Sequence, residues 1–184
     1  MKHYDIIVIG SGGGTKIALP AASMGLNTAF VEQGAVGGTC LNCGCIPSKM
    51  LIYPTELPGL IREAHRINVA SDSSVRIEFA DLVNRINKTV DRMSADQQSK
   101  IEHTPNLDFY PVHGEFISDR VIRAGEDQLA AEKVFVATGS RPHIPDIPGL
   151  AGPPFMTSRE ALRRTDLPDS LLVIGAGYIA AELG

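Results

Sequence analysis

The stretch Ile6-Ile7-Val8-Ile9-Gly10-Ser11-Gly12-Gly13-Gly14-Thr15 decides the fold. A short run rich in β-branched residues ends at a glycine, a glycine cluster follows, and Ile17, Ala18, Ala21 and Ala22 then recur at helical spacing. The order is strand, tight turn, helix. Thr28, Ala29, Phe30 and Val31 form a second apolar run that ends at Glu32, which completes a strand-helix-strand unit of about thirty residues. The turn carries the first two glycines of G-x-G-x-x-G. Gly10 permits the tight turn and Gly12 lets backbone approach a pyrophosphate, with Gly13 and Gly14 continuing the turn. The helix that follows points unpartnered N–H groups and its positive dipole end at the same place. Glu32 lies 20 residues after Gly12, where a carboxylate accepts from ribose hydroxyls. Dinucleotide binding is the expectation. Thr15 stands where a third Gly or Ala is usual, which predicts a slightly wider strand-helix crossing or a hydroxyl facing a gap. Pro20 predicts a kinked helix or a later helix start.

The rest of the composition narrows the class. A chain of 184 residues, 43% hydrophobic and 21% charged, suits one soluble globular domain or slightly more. Its 17 basic against 21 acidic residues give a charge of −4, which repels phosphate backbones and anionic lipid, so neither nucleic acid nor membrane is expected as a partner. The apolar run Ile6 to Ile9 is too short for a signal-peptide core or a membrane span, and a cytoplasmic protein is expected. Eighteen glycines and 12 prolines, above the usual share, mark specialised loops.

All three cysteines fall in Gly37-Gly38-Thr39-Cys40-Leu41-Asn42-Cys43-Gly44-Cys45-Ile46-Pro47-Ser48-Lys49, a Gly-rich loop running into a helix toward Tyr53, with Pro47 in a first turn or a distortion. Three uses compete. A metal site lacks a fourth ligand, since the closest downstream histidine is His65, and the five histidines show no metal or triad spacing. Inert buried thiols would not need two Gly-rich turns around them. A redox pair would profit from a helix start and from Lys49, both of which favour thiolate. Further on, Leu82, Ile86, Val90, Met93 and Ile101 predict an amphipathic helix from Asp81 to Ile101 with a core-facing or dimer-facing stripe. Short runs from Leu107 to Val136, broken at Gly114, Asp119 and Gly125, predict a small antiparallel meander. Arg141 to Asp169 reads as a Pro-rich connector. Leu171 to Ile174 then predicts a buried strand feeding a second glycine turn.

The cysteine stretch resembles the active-site signature G-G-T-C-x-N-x-G-C-[IV]-P-[ST]-K of the FAD-dependent pyridine nucleotide-disulfide oxidoreductases, which Gly38 to Lys49 follow closely. The resemblance implies that Cys40 is the thiol that exchanges with a dithiol or disulfide substrate. Cys45 would be the thiolate against the flavin ring, and Lys49 the lysine near its N5 edge. Gly38 and Thr39 would line the FAD site. Cys43 departs from the pattern, as an inert filler or a third thiol able to trap mixed disulfides. Val134 to Pro142 resembles the family's A-T-G-S-x-P segment, which puts Ala137, Thr138 and Gly139 at the cofactor, and Gly114 resembles the position at the adenine end. Gly175-Ala176-Gly177-Tyr178-Ile179-Ala180 resembles the family's nicotinamide-dinucleotide turn, and Glu182 the glutamate that pairs with the active-site lysine.

The fold so implied is α/β. Residues 1–145 would form a Rossmann-like FAD-binding portion with its meander and redox disulfide, 146–170 a connector, and 171–184 the beginning of an NAD(P)-binding domain. The activity implied first is that of dihydrolipoyl dehydrogenase, with electrons passing from a dithiol through Cys40 and Cys45 and FAD to NAD+. The partners would be a dithiol or disulfide substrate, a lipoyl domain among them, and a second copy in a homodimer. Alternatives are a mercuric, glutathione or mycothiol-type reductase using NAD(P)H, or a non-catalytic FAD-binding or partner-binding module. Because only ten residues run from Gly175 to Gly184, the chain is expected to be a truncated piece, inactive alone.

Overall fold

The computed structural model describes residues 1–70, 75–150 and 152–184 and divides them into two compact units. The first comprises Met1–Asn42 and Asp91–Arg141, the second Cys43–Val90 and Pro142–Gly184.

The apolar run at the N-terminus becomes β1 (Lys2–Ile9), followed by α1 (Thr15–Ser23) and β2 (Thr28–Val31). Three further strands lie beside them: β3 (Leu107–Tyr110), β4 (Gly114–Ser118) and β5 (Val121–Ala124), before the long β6 (Asp127–Val136). One six-stranded sheet results, in the order β3-β2-β1-β6-β5-β4. β1 is parallel to β2 and to β6, and β2 is parallel to β3. The β4-β5-β6 meander is antiparallel, as expected. The difference from expectation is β3, which joins the parallel half, and β6, which serves both halves at once. Ile9 pairs with Val31 on one side and Val136 on the other, so β1, β2 and β6 end level with one another.

Alternation along β1 sends side chains to opposite faces of this sheet. Ile7 and Ile9 pack with Ala29, Val31, Ile122, Ala124 and Leu129. Val8 faces the other way, into Ala18 and Ala22 of α1, with Phe30, Val36, Ile101 and Leu107. Burial on both faces is why β1 and β2 read as continuous apolar runs. Pro20 lies inside α1, which starts at Thr15 regardless.

The cysteine stretch forms two helices where one was expected. Gly44 separates α2 (Gly38–Cys43) from α3 (Cys45–Glu63), and α3 runs well past Tyr53 through Pro54 and Pro58. Pro47 occupies the first turn of α3, where its missing N–H breaks no intrahelical bond. The amphipathic segment is α4 (Phe79–Glu102), whose Leu82, Ile86 and Val90 pack against Ile46, Met50, Leu51 and Ile77. Within the expected connector, of which residue 151 lies outside the described residues, α5 (Ser158–Ala161) forms one turn. Its capping box pairs Thr157 with Glu160.

The expectation of a buried strand at Leu171 to Ile174 is corrected. No strand forms there among the described residues, and all four side chains are exposed, Leu172 at 91%. An apolar run becomes a strand only when a neighbour takes its backbone N–H and C=O groups, and none does here. The chain continues into α6 (Tyr178–Leu183). No described helix is long and apolar enough to cross a membrane.

Candidate cofactor and redox site

In the first unit, the ends of β1, β2 and β6 bring three sequence motifs to one edge of the sheet. The Gly10 N–H donates to the Val31 carbonyl at 2.8 Å, and the Ala137 N–H donates to the Ile9 carbonyl at 2.7 Å. Gly10 has φ +98°, and a Cβ there would stand 2.3 Å from the Ala137 oxygen. Only glycine fits. A Cβ on Gly38 would stand 2.6 Å from the Gly12 Cα, so the first glycine turn and the start of α2 lie backbone against backbone. Gly13 and Gly139 face open space, while Thr138 and Gly139 are exposed.

The expectation for Thr15 is corrected in detail. Close packing of turn on strand is carried one residue earlier, by Gly14, whose Cβ would meet the Gly10 oxygen at 2.0 Å and Val8 Cγ1 at 2.8 Å. The Thr15 hydroxyl faces no gap: it donates to the Gly12 carbonyl at 2.9 Å.

Glu32 stands half-buried at the end of β2. Its Oε2 accepts from the Ser11 N–H at 2.8 Å and the Ser11 hydroxyl at 2.7 Å, and its Oε1 accepts from the Gly34 N–H at 2.8 Å. At the next strand end, Gly114 opens β4, and a Cβ on it would touch Val31 Cγ1 at 3.0 Å. Beside it the His113 ring meets the Gln33 side chain at 2.9 Å.

The fit to a dinucleotide is therefore geometric. A side-chain-free turn at a helix start suits a pyrophosphate, because backbone can approach it closely there and the positive end of the α1 dipole faces it. The carboxylate at the end of β2 suits a ribose diol, and the crevice beyond the carboxyl ends of parallel strands is where α/β sheets bind such ligands.

Cys40 lies exposed in the first turn of α2, next to the exposed Thr39. Two residues absent from the sequence expectations hold this region. Asn42 donates its side-chain amide to the carbonyls of Ala35, Val36 and Gly38 at 3.0–3.1 Å. Buried Ser94 donates to the Val36 carbonyl at 2.7 Å. The Asn in C-x-N was visible as a motif letter; nothing local marks Ser94, 58 residues from its partner.

In the second unit, Cys45 is exposed at the start of α3 and Cys43 is half-buried. Lys49 and Glu182 form the expected pair, an ion pair between α3 and α6. The hydrogen bond from the Lys49 ammonium is the main reason the Glu182 carboxyl lies below its ordinary value; it outweighs the opposing desolvation, and Coulomb attraction to Lys49 and a bond from Ser48 add to it. The folded value is depressed, so the pair acts fully above the ordinary carboxylate range and is lost as pH falls through the lowered value. Both side chains are partly exposed, so the pair orients more than it stabilises. Carboxyl NMR should show Glu182 titrating below a typical glutamate, and Lys49→Met should move it upward; an unmoved midpoint contradicts the pairing. Gly175, at φ +120°, and Gly177 have open space around them, and Tyr178 and Ile179 at the start of α6 are exposed. No group of three or more His, Cys, Asp or Glu among the described residues could hold a metal ion.

The chain is 35% identical to mercuric reductase of Staphylococcus aureus over 182 residues, covering 98% of this chain and 33% of that protein. It is 36% identical over 189 residues to mycothione reductase of Mycobacterium tuberculosis, covering 99% and 40%, and 36% identical over 196 residues to dihydrolipoyl dehydrogenase of Bacillus subtilis, covering 98% and 40%. The chain thus spans between a third and two-fifths of these relatives. Among solved structures, the HOCl-induced flavoprotein disulfide reductase RclA of Escherichia coli superposes with a TM-score of 0.82 at 29% identity, over 97% of this chain and 38% of that one. The family described as pyridine nucleotide-disulphide oxidoreductase matches residues 4–184. With the glycine turn and the cysteine stretch inside that match, the chain belongs to the pyridine nucleotide-disulphide oxidoreductase family.

Proposed function

We propose that this chain supplies the FAD cradle and the redox cysteine pair of a flavin-dependent disulfide oxidoreductase, and that in the whole protein the dithiol is a dihydrolipoyl group whose electrons end on NAD+. The observation that carries the reading is the gathering of Gly10, Gly12, Gly38, Ala137 and Glu32 at one sheet edge, with Cys40 in the helix that starts there.

Gly10 to Gly14 and the start of α1 take the pyrophosphate, Glu32 the adenosine ribose, and Gly114 the adenine end. Thr39 and Ala137 to Gly139 line the remaining edge. Bound FAD supplies an acceptor for an electron pair arriving from thiols and leaving to a pyridine nucleotide. On the protein side, a substrate thiolate attacks Cys40 Sγ of a Cys40-Cys45 disulfide, forming a mixed disulfide and releasing the Cys45 thiolate. The second substrate thiolate then attacks the mixed bond and releases Cys40, so one dithiol is oxidised, one disulfide is reduced and the substrate's two protons are given up. Lys49 and Glu182 are a positioning pair beside the flavin. Gly175, Gly177, Tyr178 and Ile179 take the pyridine nucleotide. A lipoyl-bearing protein and a second copy of the chain are the proposed partners.

Ile46-Pro47-Ser48-Lys49 and the likeness to dihydrolipoyl dehydrogenase support the lipoyl substrate. The equal likeness to mercuric and mycothione reductases supports a second reading, in which NAD(P)H drives reduction of mercuric ion or a small disulfide such as that of glutathione or mycothiol. Assaying the whole protein with dihydrolipoamide and NAD+, and separately with NAD(P)H and each oxidant, separates them. The lipoyl reading expects NADH formation to have the highest kcat/KM; a higher value for mercuric ion or a small disulfide moves the assignment to the second.

A further inference from the structure

The residue between the first two glycines of the turn is free in the motif and is not free in this fold. Ser11 is 1% exposed, and its hydroxyl has two partners. It accepts from the Gly37 N–H at 3.0 Å, which leaves its own proton directed at Glu32 Oε2, 2.7 Å away. The Ser11 N–H reaches the same oxygen, and the Gly34 N–H occupies Oε1. A carboxylate offers about four acceptor positions. Three are taken by protein donors.

We propose that Ser11 is a positioning residue. Its hydroxyl fixes the Glu32 carboxylate so that one acceptor position is left for a ribose hydroxyl, and ties that carboxylate to Gly37, the residue before the helix that carries Cys40. The inference rests on the reading of this edge as an FAD cradle. Two consequences follow from the hydrogen-bond count. Glu32 accepts from one ribose hydroxyl rather than two, because a second would have to displace a protein donor. A phosphate on the ribose is rejected, since it would bring negative charge against a carboxylate that can neither rotate away nor donate. Gly37 sits at φ +106°, and its Cβ position is filled by Leu41 of α2 at 2.3 Å, so the residue that Ser11 grips is itself packed on the cysteine helix. The link runs from ribose carboxylate through one serine to the start of the redox segment.

The test measures binding of FAD, and of an FAD analogue lacking the adenosine 2′- and 3′-hydroxyls, to the full chain by equilibrium dialysis. Ser11→Ala should weaken FAD about tenfold, the worth of one charge-assisted hydrogen bond, while the analogue changes by less than about twofold. A merely structural role for Ser11 weakens both ligands in the same proportion, and that result overturns the inference. So does unchanged FAD binding. A wild-type chain that binds no FAD overturns instead the cradle reading, and this inference with it. Glu32→Gln reads the link from the other end if Ser11→Ala fails to fold. The Gly37 amide should exchange with solvent deuterium faster in Glu32→Gln than in wild type, because the serine loses its fixed acceptor; equal exchange overturns the link.

Discussion

Cys45→Ser in the whole protein should lower dithiol-disulfide turnover by about three orders of magnitude or more while flavin stays bound. The size follows from the chemistry. A hydroxyl cannot form the disulfide that accepts electrons from a substrate dithiol, and no other group on α3 takes its place. Flavin retention is expected because the substitution leaves the glycine turn, Glu32 and the end of β6, the proposed cradle, unchanged. Cys40→Ser should be equally damaging for the opposite reason, since it removes the sulfur that the substrate attacks. Cys43→Val should retain turnover, as befits a half-buried filler. Substantial turnover in Cys45→Ser, or loss in Cys43→Val equal to that in Cys40→Ser, would contradict the assignment of the pair.

Gly14→Ala should destabilise the chain by about 3 kcal/mol, near the upper end of the ordinary overpacking range. Its backbone dihedrals, φ −61° and ψ −28°, suit alanine well, so the cost is contact and not conformation. The added carbon would stand 2.0 Å from the Gly10 carbonyl oxygen and 2.8 Å from Val8 Cγ1. Val8 has no room to turn aside, being fully buried under α1, and the Gly10 carbonyl belongs to the turn itself. Relief therefore requires moving α1 off the sheet. In a domain of this size the loss corresponds to a fall in Tm of about 6–12 °C by calorimetry. Gly13→Ala is the control. Nothing lies within 4 Å of its Cβ position, so its Tm should stay within about 2 °C. Equal effects of the two substitutions would contradict the packing of this turn.

The contrast between adjacent glycines shows what the sequence could express. The strand-turn-helix opening was legible because Ile6 to Ile9, the glycines and Ala18 and Ala22 each state a local requirement: burial on both faces, a turn without side chains, a helix that packs closely. Which glycine bears the packing was not legible, since the motif places that demand at Thr15 and the backbone places it at Gly14. The amphipathic stripe of α4 was plain from spacing alone. Membership of β3 in the parallel half was not, because alternation in Leu107 to Tyr110 is the same whichever neighbour it pairs with. Leu171 to Ile174 misled for a related reason: four apolar residues state a preference for burial without naming the partner strand. In the site, Glu32, Cys40, Cys45, Lys49 and Glu182 were readable as motif letters. Ser11 was not. Its importance arises only when the chain folds back to set Glu32 and Gly37 against it, 21 and 26 residues away.

In the proposed function a flavin cradle and a reducible cysteine pair belong to one electron-accepting centre. Anaerobic dithionite titration of the FAD-loaded protein measures that directly. The protein should take up the flavin's electron pair and one further pair, and the further pair should disappear in Cys45→Ser. Uptake of the flavin's pair alone by the wild-type protein, prepared oxidised, would contradict it.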